Sequence, residues 1–318
     1  MSQLSTQDVK VSVIIPTFNR SAVIAESINS VLEQSFKELE LIIVDDGSSD
    51  NTEDIINKIN DKRVVYIRNE QNKGAAESRN IGIWKASAEI IAFQDSDDIW
   101  LRDKLKKSML ALGDNPDAIG VFSSFIQLDP KGKNFTRKGF DSKGKNQHDE
   151  ILYKNFIGTP CAVVRKKYLL EVGGFDENLP ALEDWDLFIR LTKLGRMAYI
   201  PESMVVTRKS RGSLSADKSA DRDALEMIYN KNLAEIKSKN MLDAKWHSRL
   251  GQLHILTGRQ ETGRAHLFSS LKLNPKNIRY FVECFSSVTY RGFLYKILAN
   301  VYSRVSLLMG SRKYKNQG

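Results

Sequence analysis

Four short apolar runs, rich in β-branched residues and separated by helix-patterned stretches, constrain this chain most. Residues 11–15 read Val-Ser-Val-Ile-Ile and residues 39–44 read Leu-Glu-Leu-Ile-Ile-Val; residues 64–67 and 90–93 follow. Runs this short and this apolar suit strands buried on both faces, as a parallel sheet requires. Between them lie Val23, Ile24, Ile28, Val31 and Leu32 at helical spacing behind a Ser21 cap. Ile55, Ile56 and Ile59 mark a second helix, and residues 75–86 a third. Strand alternating with helix means βαβ units, right-handed crossovers and an α/β fold with a mostly parallel sheet.

Ligands of such sheets bind at the carboxyl ends of the strands. Here those ends carry Thr17-Phe18-Asn19-Arg20 (Pro16 ending the strand), Asp45-Asp46, Arg68-Asn69 and Asp95-Ser96-Asp97-Asp98. Carboxylates packed this closely repel one another unless a cation or basic partner offsets them. Their oxygens are hard ligands suited to Mg²⁺ or Mn²⁺, ions that commonly bridge to substrate phosphates. The same run also reads as an acidic turn in which Asp98 caps the next helix, and the run alone does not separate the two.

After Trp100 the alternation weakens. Residues 104–112 look helical and 118–128 like a strand, and 129–150, rich in Lys, Gly, Asn and Asp, are expected to form a long mobile loop. A short helix closes at 168–172 with Gly173-Gly174 stopping it, and another spans 184–194. Residues 207–222 read as a second, Ser/Lys/Arg-rich loop, and the remainder is almost wholly helical. The 318 residues divide into a tail (1–10), a domain of two halves (11–100 and 101–215) and a helical C-terminal region (216–318). No apolar run is long enough to cross a bilayer and no signal-peptide stretch opens the chain, so a cytoplasmic protein is expected. Cys161 and Cys284 form no Cys-x-x-Cys motif. The net charge of +9 favours anionic partners.

Several segments together resemble the family 2 inverting glycosyltransferases: Pro16-Thr17-Phe18-Asn19-Arg20, the run from Val44-Asp45-Asp46-Gly47 to Thr52, Asn72-Lys73-Gly74 through Arg79-Asn80, Asp95-Ser96-Asp97, Gly173-Gly174-Phe175-Asp176-Glu177, and Glu183-Asp184-Trp185-Asp186. They stand in the family's order and spacing across about residues 9–215. The resemblance implies a GT-A fold: a mixed, mainly parallel sheet flanked by helices, with a nucleotide-binding half and an acceptor half. It also implies roles. Asp46 would accept from the uracil imide, a contact that suits a UDP-sugar, with a dTDP-sugar second. Pro16, Thr17, Asn19 and Arg20 would line the donor site, with Phe18 at the base or in the core. Asn72, Lys73 and Gly74 would wrap the nucleoside, and Arg79 would reach a phosphate or lie on a solvated face. Asp97, with Asp95, would hold Mn²⁺ or Mg²⁺, Asp95 also contacting ribose. Asp184 would be the base that removes the acceptor proton, or simply a helix cap. Its place at a helix start would keep it anionic. Glu183 would orient it or bind acceptor, and Trp185 would stack on a sugar or sit in the core.

The chain departs from the pattern at Ser78, where Ala is usual, and at Ser210, where a His is expected. Arg208 and Arg211 would then bind the diphosphate directly. The expected acceptor is a glycan or lipid-linked glycan, and no nucleic acid is expected. A nucleotidyltransferase is disfavoured because Pro-Thr-Phe-Asn-Arg stands where a Gly-rich phosphate loop would be. A haloacid dehalogenase phosphatase is disfavoured because Asp95-Ser96-Asp97-Asp98-Ile99 lacks its motif, and the Rossmann Gly-x-Gly-x-x-Gly is absent. The alternative outside enzymology is a degenerate member acting as a membrane or complex adaptor.

Residues 246–277 loosely resemble one tetratricopeptide helix pair. Further on, Tyr290, Leu294, Ile297, Val301, Val305 and Leu308 recur at helical spacing among Arg291, Lys296, Arg304, Arg312, Lys313 and Lys315. A basic amphipathic helix over 290–315 fits an anionic membrane surface, on the inner face of the cell membrane, or a terminal helix docked on the protein's own core.

Overall fold

The structure is a computed structural model and describes residues 9–129, 134–141, 146–208 and 217–287. The first part alternates as expected: β1 (Val11–Thr17), α1 (Ile24–Leu32), β2 (Leu39–Asp45), α2 (Thr52–Asn57), β3 (Val64–Arg68), α3 (Ala75–Lys85) and β4 (Ile90–Phe93). Next come β5 (Ile99–Trp100), α4 (Lys104–Asp114), β6 (Gly120–Leu128), β7 (Asn134–Arg137), α5 (Gln147–Tyr153), a 3-10 turn, β8 (Ala162–Arg165), α6 (Lys166–Glu171), α7 (Glu183–Leu194) and β9 (Met197–Arg208). Five further helices follow: α8 (Lys218–Lys231), α9 (Leu233–Lys237), α10 (Asn240–Leu256), α11 (Gln260–Leu273) and α12 (Ile278–Ser287).

One mixed sheet runs β3-β2-β1-β4-β8-β6-β9-β5, with β7 added beside β6. Strands β3, β2, β1 and β4 are mutually parallel, β8 is antiparallel to β4 and β6, and β6 and β9 are parallel over the longest register. Every residue of β1 and β4 is buried, which explains why both read as unbroken apolar runs. β3 sits at the edge and is only half-buried. Sheet residues such as Val13, Ile15, Leu41, Ile43 and Ala92 pack with Ile24, Ile28 and Val31 of α1 in one core cluster.

Several local expectations change. Pro16 does not end β1, which continues to Thr17 because Pro16 and Thr17 still register with Val44 and Asp45. Ser21 does not cap α1: the helix starts at Ile24 with Val23 at the cap position and no side-chain cap bond, and the Ser21 N–H donates to Asp50 Oδ2 at 3.0 Å. Residues 129–150 are not one loop: β7 pairs antiparallel with β6, and α5 starts where Asn146 Oδ1 accepts from the His148 N–H at 3.0 Å. The Ser/Lys/Arg-rich loop is shorter than 207–222, because β9 reaches Arg208 and α8 begins at Lys218; residues 209–216 lie outside the described residues.

The chain divides into two compact units, Met1–Asn178 with Glu183–Arg211, and Leu179–Leu182 with Gly212–Gly318. In the second, α10 and α11 form the expected helix pair, with Gly251 and Gly263 at the crossing; a Cβ on either would stand 2.7–2.9 Å from side-chain or backbone atoms of the other helix or its neighbours. Residues 290–315 lie outside the described residues. Among the described residues no helix is long and apolar enough to cross a membrane.

Candidate active site

The loops leaving β1 and β2 are stitched together. Asn19 adopts a φ of 52° and its Oδ1 accepts from the Ser49 N–H at 2.8 Å, while its own N–H donates to Ser48 Oγ at 2.9 Å. Asn tolerates this left-handed conformation better than most residues. The Arg20 N–H donates to Thr52 Oγ1 at 2.9 Å. Asp50 is pulled down to about 2: burial opposes the shift, but bonds from Thr52 and Ser21 overcome it. Pro16 and Thr17 are buried within β1 and offer no exposed side chain. Phe18 is 41% exposed, which removes the core alternative.

Asp46 follows β2 and is 3% exposed. Its Oδ1 accepts from Asn69 Nδ2 at 2.8 Å and the Lys73 N–H at 2.9 Å, and its Oδ2 accepts from the Gly74 N–H at 2.7 Å. One carboxylate thus holds the whole 69–74 loop. It does not cap α2, whose first turn is served by Asp50. Gly74 has a φ of 95°, a conformation costly to any residue with a Cβ. Lys73 pairs with Glu77 at 2.7 Å and Asn72 is exposed.

The acidic run after β4 is a tight turn. The Asp98 N–H bonds back to the Asp95 carbonyl at 3.1 Å, and Gln94 Nε2 donates to the Asp98 carbonyl at 2.7 Å. Asp98 is not a helix cap: β5 begins at Ile99, and Asp98 Oδ1 accepts from the Arg208 N–H at 3.2 Å. Burial, then the charges of Asp95 and Asp97, push Asp98 up to about 9. Asp95 and Asp97 are half-buried. Among the described residues no three His, Cys, Asp or Glu side chains form a ready ligand set. Two carboxylates nevertheless fit a hard ion that keeps water and substrate phosphate as its other ligands.

Arg79 is not a surface residue and does not point at a free phosphate position. It is 6% exposed on α3, donating through Nη2 to Asp95 Oδ1 at 2.9 Å and through Nη1 to Glu183 Oε1 at 2.8 Å. Its guanidinium also lies 5.3 Å from the Phe175 ring centroid. Burial disfavours its charge, but Asp95 and Glu183 together hold it above its ordinary pKa. One side chain therefore joins the acidic turn to the start of α7. Arg208 stands at the end of β9, its guanidinium 2.7 Å from Glu26, and Arg211 and Ser210 lie outside the described residues.

Asp184 is in the first turn of α7. Its Oδ1 accepts from the Trp185 N–H at 2.7 Å and its Oδ2 from Asn155 Nδ2 at 3.1 Å. The helix start does not keep it fully anionic. Burial first, and the neighbouring Glu183 charge second, push Asp184 up to about 7, against the Trp185 bond, Arg79 and Asn155. A carboxyl poised near neutrality can both accept and release a proton. Trp185 does not stack on an acceptor: it is 5% exposed and its Nε1 donates to the Ile151 carbonyl at 2.7 Å, a core role that fixes the first turn of α7.

Two residues take roles that the sequence does not assign. Asn155 stands in an irregular stretch with no motif to mark it. Asn80 donates to the Phe175 carbonyl at 2.9 Å and accepts from the Phe175 N–H at 2.8 Å, clamping the turn after α6 onto α3. The Gly-Gly pair carried that signal: Gly174 has a φ of 73°, and a Cβ there would stand 2.4 Å from Asn80 Oδ1.

Residues 12–173 match the model of Glycosyl transferase family 2. Over 215 residues the chain is 46% identical to the Escherichia coli UDP-Glc:alpha-D-GlcNAc-diphosphoundecaprenol beta-1,3-glucosyltransferase WfgD, covering 66% of this chain and 81% of that protein. Over 222 residues it is 33% identical to a Campylobacter jejuni GalNAc(5)-diNAcBac-PP-undecaprenol beta-1,3-glucosyltransferase, covering 67% and 70%. Three Rickettsia glycosyltransferases are longer, and the chain spans only 30% to 35% of them. In structure it is similar to S. aureus TarS 1-349 in complex with UDP-GlcNAc, with a TM-score of 0.64 at 20% identity over 93% of this chain and 92% of that one. That likeness establishes the GT-A fold. With half the chain matched by the family model and its motifs gathered at the strand ends, this protein belongs to glycosyl transferase family 2.

Proposed function

We propose that the chain is a metal-dependent, inverting glycosyltransferase that moves a sugar from a UDP-sugar to a hydroxyl of a lipid-linked glycan during surface polysaccharide synthesis. The observation that carries this reading is the Arg79 fork, which sets the acidic turn and the Glu183-Asp184 pair on either side of one buried guanidinium. The acceptor oxygen that loses its proton attacks the same sugar carbon that the diphosphate leaves, so the groups serving the two events must be neighbours. The UDP-Glc donor named for WfgD supports a UDP-sugar, and the undecaprenol-linked acceptors named for WfgD and the C. jejuni relative support an acceptor of that kind.

The residues divide the work. Asp46 has about four acceptor positions and the loop occupies three, so one remains for the uracil imide. Phe18, exposed at the end of β1, offers an apolar face to the base, with Asn19 and Arg20 beside it. Asp95 and Asp97 would hold Mn²⁺ or Mg²⁺, which when bound supplies positive charge to the departing diphosphate. Arg208, beside Glu26 at the end of β9, supplies a further cation for the diphosphate, a role Arg211 would share. Asp184 takes the proton of the acceptor hydroxyl as that oxygen attacks, and Asn155 steadies the carboxylate that does so. A single attack from the face opposite the diphosphate inverts the anomeric carbon. Asp184→Asn is expected to lower transfer by about 10²–10⁴-fold while UDP affinity, read by calorimetry, stays within about twofold. Near-normal turnover in that variant would refute the base assignment.

A further inference from the structure

Helix α12 faces the wrong way for an ordinary surface helix. Ile278, Phe281, Val282 and Phe285 stand at i, i+3, i+4 and i+7, the spacing of a single apolar stripe. In a globular unit that stripe turns inward. Here Ile278 is 80% exposed, Phe281 58%, Val282 45% and Phe285 70%, and the Phe281 and Phe285 rings stack with centroids 6.4 Å apart. The inward face is the small and polar one: Tyr280, Ser286 and Ser287 are buried. That orientation is fixed by specific bonds. Glu283 Oε2 accepts from Ser248 Oγ at 2.7 Å and its Oε1 from Gln252 Nε2 at 2.9 Å, both on α10. Arg264 Nε of α11 donates to the Ser287 carbonyl at 3.0 Å, and Cys284 packs against Ile255 and Leu267. The helix cannot roll its phenylalanines inward without breaking all of these.

Charge identifies what covers the stripe. From Lys272 to the end of the chain stand nine Lys and Arg residues and one acid, Glu283, whose carboxylate is turned inward. Nearly all of the chain's net charge of +9 therefore falls in its last 47 residues, and the rest is close to neutral. Lys272 and Lys276 flank the stripe itself and are exposed, as is Arg279, whose Nε pairs with Glu283 Oε1 at 2.5 Å. Aromatic and branched side chains projecting between cations match the boundary of an anionic bilayer, where rings enter the headgroup region and cations meet lipid phosphates. A protein partner would need an acidic apolar groove, and a second copy of this chain would bring the same cations against one another.

We infer that the outward stripe of α12 is a membrane-docking face that seats the protein on an anionic lipid surface. The inference does not rest on the donor, acceptor or base assigned above. It moves the expected membrane contact from residues 290–315 alone onto a folded helix of the second unit.

The test uses the full chain with vesicles of phosphatidylcholine containing about one-third phosphatidylglycerol, and with phosphatidylcholine alone. The wild type is expected to float with the anionic vesicles and not with the neutral ones, and binding should weaken as salt screens the surface. Phe281→Gln/Phe285→Gln removes exposed rings only, so the melting temperature should hold while vesicle partitioning falls about tenfold or more. The emission that Phe285→Trp adds to the full chain should be quenched by bromine-labelled lipid. UDP release from a donor without acceptor should be unchanged in both variants, whatever the fate of the catalytic assignment. Wild-type flotation by the double variant would overturn the inference. So would a dimer in vesicle-free buffer that the double variant dissolves, since a second copy would then own the stripe. If the emission added by Phe285→Trp is already blue-shifted without lipid, the stripe belongs to the chain's own C-terminal residues, and the inference falls equally.

Discussion

Asp46 and Asp184 are both aspartates at the end of an element, yet their surroundings differ in kind. Asp46 is nearly saturated: three donors from the 69–74 loop converge on its two oxygens. Asp184 receives two donors, sits beside Glu183 and is pushed up to about 7. Asp46 spends its oxygens on three donors and organises a loop, whereas at Asp184 burial and the neighbouring Glu183 charge oppose the anion and leave a group that can exchange a proton. The contrast teaches that position at a strand or helix end does not define a role; the surrounding donors, charges and burial together do.

The largest expected effect falls on the residue that joins the two corners. Arg79→Met should leave Asp95 and Glu183 facing each other without their cation. Loss of stability is expected at about 3 kcal/mol, the low end for a broken buried pair because both carboxylates keep some solvent. Turnover should collapse as well, and Arg79→Lys should not rescue it, since one ammonium cannot reproduce the fork. A melting temperature unchanged in Arg79→Met would dissolve the idea that one guanidinium holds the site together. Next, Asp46→Asn puts an amide donor against N–H donors. Donor affinity should fall about tenfold and the 69–74 loop should become more open to proteolysis. If stability fell but UDP binding did not, Asp46 would be a structural anchor alone. The smallest effect is expected from Asn155→Ala. The bond it removes favours the anionic form of Asp184, so its loss raises that pKa further. As the proposed base Asp184 would work deprotonated, so activity is expected to rise with pH through about 7 in the wild type. In Asn155→Ala this limb should move to higher pH with the alkaline plateau little changed. A uniform drop at every pH would instead mean that Asn155 acts on substrate.

The donor half was legible because its signals are local. Ile90–Phe93 is the strand the apolar run announces, and the polar residues that follow each strand gather where strand ends meet. The acceptor half was harder. Asn134–Arg137 is a polar edge strand whose only instruction is its partner β6, and nothing in its own residues alternates strongly. Ser21 has the right chemistry for a cap, but α1 begins at Ile24, too late for its hydroxyl, and the Ser21 backbone is held instead by Asp50, 29 residues away in sequence. Arg79 shows the same limit more sharply: an arginine on a helix reads as solvated until its partners, 16 and 104 residues further on, are known. Trp185 was open between a sugar and the core because only the Ile151 carbonyl decides it.

The family match stops at residue 173, while the Arg79 fork reaches across that limit to Glu183. The architecture recognised in one half of the domain therefore has a socket whose plug lies in the other. Anyone exchanging acceptor halves between relatives to change which glycan is extended must carry over a carboxylate at the position of Glu183, together with the Gly174 turn that seats beneath Asn80. A hybrid lacking either is expected to bind its nucleotide and yet hand its sugar to nothing.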